Sequence, residues 1–280
     1  LEKKIYKVRI TFLKDRIGKL RFKKFEFLVV IAILRTFARD KQLYHLPNWL
    51  RFWKRLFTLS PVQAYKDFSL LKKTVAQSPN KQGLFFFFPY THIGGAEKVH
   101  ALITETVKDK MPWIFFTGFS DNKKFLPLFQ DNGQVFDIVS GIRHPFFKNR
   151  SKQLILQAIE ACKEPVVFGC NNLFFYELIP DLSSKVKVIE LMHDFRYDGE
   201  EQVFKPYLLH FLRCNQRIFI SERAIDQTKK FYRANSVEPL YVDRLKYIPN
   251  YVDVPKVYEQ KSATERLTII YVGRGTEEKR

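Results

Sequence analysis

The sequence predicts an α/β domain built on a parallel sheet, preceded by a basic and mostly helical N-terminal segment. Two observations predict the sheet. From residue 83 onward, short runs rich in aromatic and β-branched residues alternate with longer helical patterns. Those short runs do not alternate apolar with polar, so each strand is buried on both faces, and helical crossovers must cover them. A third observation sets the N-terminal segment apart. Residues 1–60 hold sixteen Lys and Arg against four Asp and Glu, in a chain whose net charge is +19. Such an excess directs attention to an anionic partner: nucleic acid, a membrane surface or a phosphorylated ligand. At 280 residues and 46% hydrophobic, the chain is long enough for two domains and rich enough for a large core.

The N-terminal segment spans residues 1–78. Its uninterrupted apolar run covers only residues 27–34, far short of the roughly 20 residues a membrane-spanning helix needs. In "LPNWLRFWKRLF", Trp49, Phe52, Trp53 and Phe57 interleave with Arg51, Lys54 and Arg55. That pattern suits a helix lying in a membrane interface, and equally an amphipathic helix packed on its own protein. The α/β domain spans residues 79–255. Strands are expected at 84–88, 113–118, 135–139, 165–170, 186–192, 217–221 and 245–249, and helices at 97–108, 152–162, 173–179, 202–214 and 222–233. Residues 256–280 form a linker and the first strand of a further domain. Cys162, Cys170 and Cys214 have no paired spacing and read as buried thiols in a reducing compartment.

In such a domain, ligands bind at the carboxyl ends of the strands. The first strand is followed by "PYTHIGGAEKVH", where Gly94 and Gly95 let the backbone approach a ligand and the helix N-terminus favours an anion. A tight strand–helix turn uses the same residues, and GxGxxG is missing, which argues against NAD or FAD. The fifth strand is followed by "LMHDFRYD", which puts His193 at a carboxyl end. Asp194 and Asp198 lack a third ligand nearby and read as solvated carboxylates, so no metal and no bound cofactor are expected. In "FISERAIDQTKKFY", Ser221 caps a helix with Glu222 in its first turn. In "YIPNYVDV", Pro249 and Asn250 break the strand into a turn. The last stretch, "LTIIYVGRGTEEKR", turns at Gly273 and presents Arg274 and Lys279.

Taken in this order and at this spacing, "HIGGAEKVHALI", "MHD", "ISERAIDQTKKFY", "IPNYVDV" and "YVGRGTEEKR" resemble the retaining glycosyltransferases of glycosyltransferase family four. The resemblance covers residues 83–280. It implies a GT-B fold, of which residues 79–255 would be the Rossmann-like acceptor-side domain and residues 256–280 the start of a donor-binding domain cut short. By resemblance, Arg274 and Lys279 bind the donor diphosphate, and Gly94 and Gly95 lie near the donor phosphates and the acceptor. His193 matches a histidine near the transferred sugar, facing the interdomain cleft rather than a core partner. Tyr251 departs from the family's usual glycine. The implied activity is metal-free transfer of a sugar from a nucleotide sugar to a glycan or lipid-linked acceptor, in cell-envelope polysaccharide or glycolipid synthesis. With most of the donor domain absent, the polypeptide alone is expected to be inactive.

Two other functions use the same features: a nucleotide-sugar epimerase or hydrolase of similar fold, and a non-catalytic module holding a membrane surface. Nucleic acid is not expected as a partner, because the basic residues form no reading motif. The expected location is the cytoplasm, peripheral on the inner face of the cytoplasmic membrane. The charge and aromatic pattern of residues 1–60 makes a direct prediction. Full-length protein should co-sediment with anionic vesicles more than with neutral ones, and deletion of residues 1–60 should abolish the difference. Equal binding to both vesicle types would disprove it.

Overall fold

The computed structural model describes residues 60–77, 80, 82–170, 172–193 and 207–250. The chain divides into two compact units, Leu1–Pro249 and Asn250–Arg280. Every described residue except Asn250 belongs to the first.

All seven expected strands form: β1 (Leu84–Phe88), β2 (Trp113–Phe116), β3 (Gln134–Asp137), β4 (Val166–Cys170), β5 (Lys187–Met192), β6 (Gln216–Phe219) and β7 (Leu245–Tyr247). They make one sheet in the order β3-β2-β1-β4-β5-β6-β7, with every pairing parallel. This is a Rossmann-like α/β sheet. Strand β2 stops earlier than expected, at Phe116, although the N–H groups of Thr117 and Gly118 still donate to the carbonyls of Phe88 (3.1 Å) and Pro89 (2.8 Å).

The described helices are α1 (Pro61–Gln77), α2 (Gly95–Glu105), α3 (Leu126–Asn132), α4 (Val139–Arg143), α5 (Lys148–Glu160), α6 (Leu173–Leu178), α7 (Leu208–Arg213) and α8 (Glu222–Ala234). The run "LFFFF" shows why both faces need cover. Phe85 and Phe87 point into a core on one face with residues of α1, α5, α6, α7 and α8; Phe86 and Phe88 point into a second core with Ala101 of α2 and Phe129 of α3. In the first core, the rings of Phe87, Phe115 and Phe136 stack across β1, β2 and β3, with centroids 4.9 Å apart at each step. Burying one such ring contributes about 1.5–3 kcal/mol.

Helices α3 and α4 were not expected, whereas α1 falls in the segment expected to be mostly helical. In α3, Pro127 looks like a breaker in sequence but sits in the first turn, where proline is tolerated. Helix α4 has only five residues. Helix α1 lies before the division at residue 78 read from composition, yet Ala64 and Leu71 are wholly buried. Its Asp67 accepts the N–H groups of Ser140 (3.1 Å) and Gly141 (3.2 Å) at the start of α4, and a bond from Gln63 (2.7 Å). Burial pushes the Asp67 carboxyl above its ordinary pKa, against those hydrogen bonds.

Two charges lie buried between β5 and β6. Glu190 of β5 and Arg217 of β6 are directly paired in register, and both are almost fully buried. Arg217 Nε donates to Glu190 Oε2 at 2.5 Å, and its Nη1 donates to the Tyr232 hydroxyl at 2.9 Å. The Tyr176 hydroxyl donates to the other Glu190 oxygen. The guanidinium lies 4.1 Å above the Phe211 ring. Burial alone would lower the Arg217 pKa; Glu190 outweighs it and the net shift is upward. Burial and Glu190 also push the Tyr176 phenol well up. Removing one charge strands the other in the core, so Glu190→Gln should destabilise the fold by about 3–5 kcal/mol. Urea unfolding measures this; a loss below about 1 kcal/mol would show the pair to be hydrated.

Candidate functional site

The strand order reverses between β1 and β4. In open α/β sheets the crevice outside the carboxyl ends at such a switch point binds ligands. The carboxyl ends of β1, β4 and β5 lie side by side there.

The loop after β1 is held from the side. The Thr91 N–H donates to Ser120 Oγ at 2.9 Å, the Thr91 carbonyl accepts from Phe125 N–H at 3.2 Å, and the rings of Tyr90 and His92 stack at 4.9 Å. Gly94 is the N-cap of α2 and Gly95 its first residue. The Gly94 backbone is extended (φ −168°), so conformation alone does not demand glycine. A Cβ there would meet only the end of the Glu97 side chain, which would have to move aside. A Cβ on Gly95 would meet nothing within 4 Å. Glu97 is buried in the first turn of α2, 3.4 Å from His92 Nε2. The N-terminus of α2 thus carries its own carboxylate, favoured there by the helix dipole. A phosphate approaching Gly94 and Gly95 would share that terminus with Glu97. Sequence reasoning passed over Glu97, although a Glu three residues after an N-cap is a recognisable signal.

His193 follows the last residue of β5 and is only partly exposed. The resemblance had it facing the cleft with no core partner; the structure supplies one. Its Nε2 lies 3.0 Å from Nε2 of His100 on α2. His100 is buried and stacks on Phe88, the last residue of β1, with ring centroids 4.3 Å apart and planes 11° apart. Cys170, the last residue of β4, completes the group: its sulfur and the two imidazoles offer donor atoms within 4.8 Å of one another. Nothing in the sequence linked His100 to His193, since they lie on separate elements and His100 sits mid-helix.

Could this trio hold a metal ion? A tetrahedral zinc has bonds of about 2.0–2.3 Å, so its ligands stand roughly 3.5 Å apart. A metal-bound imidazole also donates its second N–H to a partner. His100 Nδ1 has no hydrogen-bond partner among the described residues, and the two Nε2 atoms already meet each other. Burial, with Glu190 and Glu97 nearby, pushes the Cys170 thiol well up, which disfavours the thiolate a metal needs. The set fits a hydrogen-bonded imidazole pair beside a thiol better than a cation site. At the end of β4, Asn172 caps α6 by accepting the Phe175 N–H at 3.1 Å; its buried Nδ2 has no partner among the described residues.

Ser221 occupies the N-cap of α8 as expected, without a side-chain capping bond, and Glu222 lies in the first turn. Cys170 and Cys214 are buried free thiols and Cys162 is partly buried. Arg274, Lys279, Asp194, Asp198 and Tyr251 lie outside the described residues, as do residues 1–59 of the N-terminal segment. No helix among the described residues is long and apolar enough to cross a membrane. No protein-family model matches the chain, and no curated protein matches it.

The imidazole pair makes stability depend on acidity in a definite direction. Burial lowers the pKa of His193, and burial with His193 nearby lowers that of His100 further. Unfolded, both would take up a proton near the ordinary value of about 6.5. Below that pH the unfolded chain binds more protons, so this stability is present above it and is lost as pH falls toward the folded-state values. His100→Phe removes one such group. Its urea-unfolding free energy should therefore fall less steeply below pH 6.5, by up to about 1.4 kcal/mol per pH unit. An unchanged slope would mean that His100 charges freely in the fold.

Proposed function

We propose that this chain is the acceptor-side part of a retaining glycosyltransferase, which moves a sugar from a nucleotide-sugar donor to a glycan or lipid-linked acceptor. One observation carries the proposal: the glycine-led helix after β1 and the histidine after β5 converge at the switch point, joined through His100 and His193 at 3.0 Å. Two of the five sequence features that resemble glycosyltransferase family four, the glycine-led helix and the His193 stretch, are thus neighbours at the edge where such sheets take ligands.

The chemistry divides among the residues as follows. Cleavage of the glycosyl–phosphate bond develops negative charge on the leaving diphosphate, which fixed cations stabilise. Arg274 and Lys279 are proposed for that role: Arg offers a planar fork to two oxygens, Lys a point charge on a flexible stem. Gly94 and Gly95 let the backbone of the β1 loop approach the donor phosphates and the acceptor. His193, through the ring nitrogen not engaged by His100, contacts the transferred sugar. The basic N-terminal segment would hold the protein at an anionic membrane surface, where a lipid-linked acceptor resides.

The test is to incubate the full-length protein with a panel of nucleotide sugars and acceptor lipids. Transfer with the donor's anomeric configuration preserved supports the function. His193→Ala should lower turnover with the fold intact. Arg274→Ala and Lys279→Ala should each cost about tenfold to a hundredfold in kcat/KM, the weight of one charge-assisted hydrogen bond in the transition state. Donor epimerisation or hydrolysis without transfer would replace the proposal with the related hydrolytic or epimerising activity. Wild-type rates in both cation variants would remove the clamp.

A further inference from the structure

The contact between His100 and His193 limits the protons the pair can carry. Two imidazole Nε2 atoms 3.0 Å apart are held by one shared proton. With a proton on each they would repel; with none there would be no bond. There are two ways to place it. If His193 donates, His100 accepts at Nε2 and must keep its own proton on Nδ1. That nitrogen is buried and has no partner among the described residues, so the result is an orphaned buried N–H. If His100 donates, its Nδ1 is a bare lone pair, and no N–H is stranded. Orphaned buried N–H groups are the rarer outcome.

His100 is built to hold this position. It lies in the middle of α2, and its ring stacks nearly parallel on Phe88 at 4.3 Å. Phe88 in turn sits among Phe86, Phe116, Phe129 and Phe168 in the second core. The ring therefore has little freedom to turn away from His193. The titratable group beside the pair is Cys170 at the end of β4, which itself feels Glu190 within β5 and Glu97 on α2.

We infer that His100 is a positioning residue that fixes the tautomer of His193. His100 donates Nε2–H to His193 Nε2, so His193 carries its proton on Nδ1 and presents an N–H donor to the ligand side of the switch point. The ligand group that His193 meets is then a hydrogen-bond acceptor, such as a sugar hydroxyl or phosphate oxygen, and His193 is not a general base in its resting state. The consequence for sugar transfer rests on the glycosyltransferase function proposed above; the tautomer does not.

Nitrogen-15 NMR of the full-length protein, labelled at histidine, tests it at pH 7.5. The wild-type spectrum should show His193 protonated at Nδ1 and unprotonated at Nε2. His100→Phe keeps the ring and its stack but removes the donor, and His193 should move toward the Nε2–H form. His100→Gln keeps an amide donor, and the Nδ1–H form should persist. In transfer assays His100→Phe should lower kcat by about fivefold, the weight of one ordinary hydrogen bond, with KM for the donor little changed. His100→Gln should restore most of that loss. A wild-type His193 protonated at Nε2 overturns the inference even if the variants fail to fold, as does an unchanged tautomer in a folded His100→Phe variant. The expected tautomers with no sugar transfer by the wild-type protein would leave the inference standing and remove the glycosyltransferase function instead.

Discussion

Much of the architecture around the candidate site depends on the buried contact between Glu190 and Arg217. Each charge alone would be intolerable in the interior; together, with Tyr176 and Tyr232 taking further bonds, they pair at one register of β5 against β6, although Arg217 Nη2 has no hydrogen-bond partner among the described residues. A one-residue slip would turn Glu190 to the opposite face and leave both charges unpaired. The contact also gathers α6, through Tyr176, and α8, through Tyr232, onto the same face of the sheet. His193 follows Glu190 by only three positions, so the interaction that fixes the strand also fixes where the strand ends. The precision available at the site comes from the pairing of β5 with β6.

The site itself is assembled from neutral and acidic groups. His100 and His193 are held uncharged by burial, Cys170 remains a thiol, and Glu97 sits at the start of α2. The chain as a whole is strongly basic. Its excess positive charge is concentrated before residue 60, away in sequence from the strand ends that build the site. The excess charge and the strand ends that build the candidate site are therefore carried by different stretches of sequence.

How legible was this in the sequence? The strands were, because apolar runs such as "LFFFF" and "PVVFGC" are short, unalternated and bounded by turn residues. Their parallel arrangement followed from the helices between them. Helix α1 lay in a segment expected to be mostly helical, but its packing on the sheet was not read, although Ala64, Phe68, Leu71 and Val75 make a helical stripe, because its basic neighbours drew it into a segment defined by charge. The position of His193 at a strand end was legible; its partner was not. His100 has no local signature, and a contact between residues so far apart in sequence exists only once β1, β4 and β5 lie side by side. Glu97 was legible in principle as a carboxylate at the start of a helix, but the glycines before it pointed to an external anion.

The central position of β1 has a consequence for the newborn chain. β1 is made first, yet it pairs on one side with β2 and on the other with β4, which emerges only after β2, β3 and four helices. Until then, the four phenylalanines Phe85 to Phe88 line an open strand edge, the kind that recruits other unpaired strands. Parallel pairing between distant segments is also slow to close. A ribosome that paused before residue 166 would leave this edge unsealed, so the yield of the protein in the cell depends on how promptly β4 follows and on chaperones that shield aromatic strands in the interval.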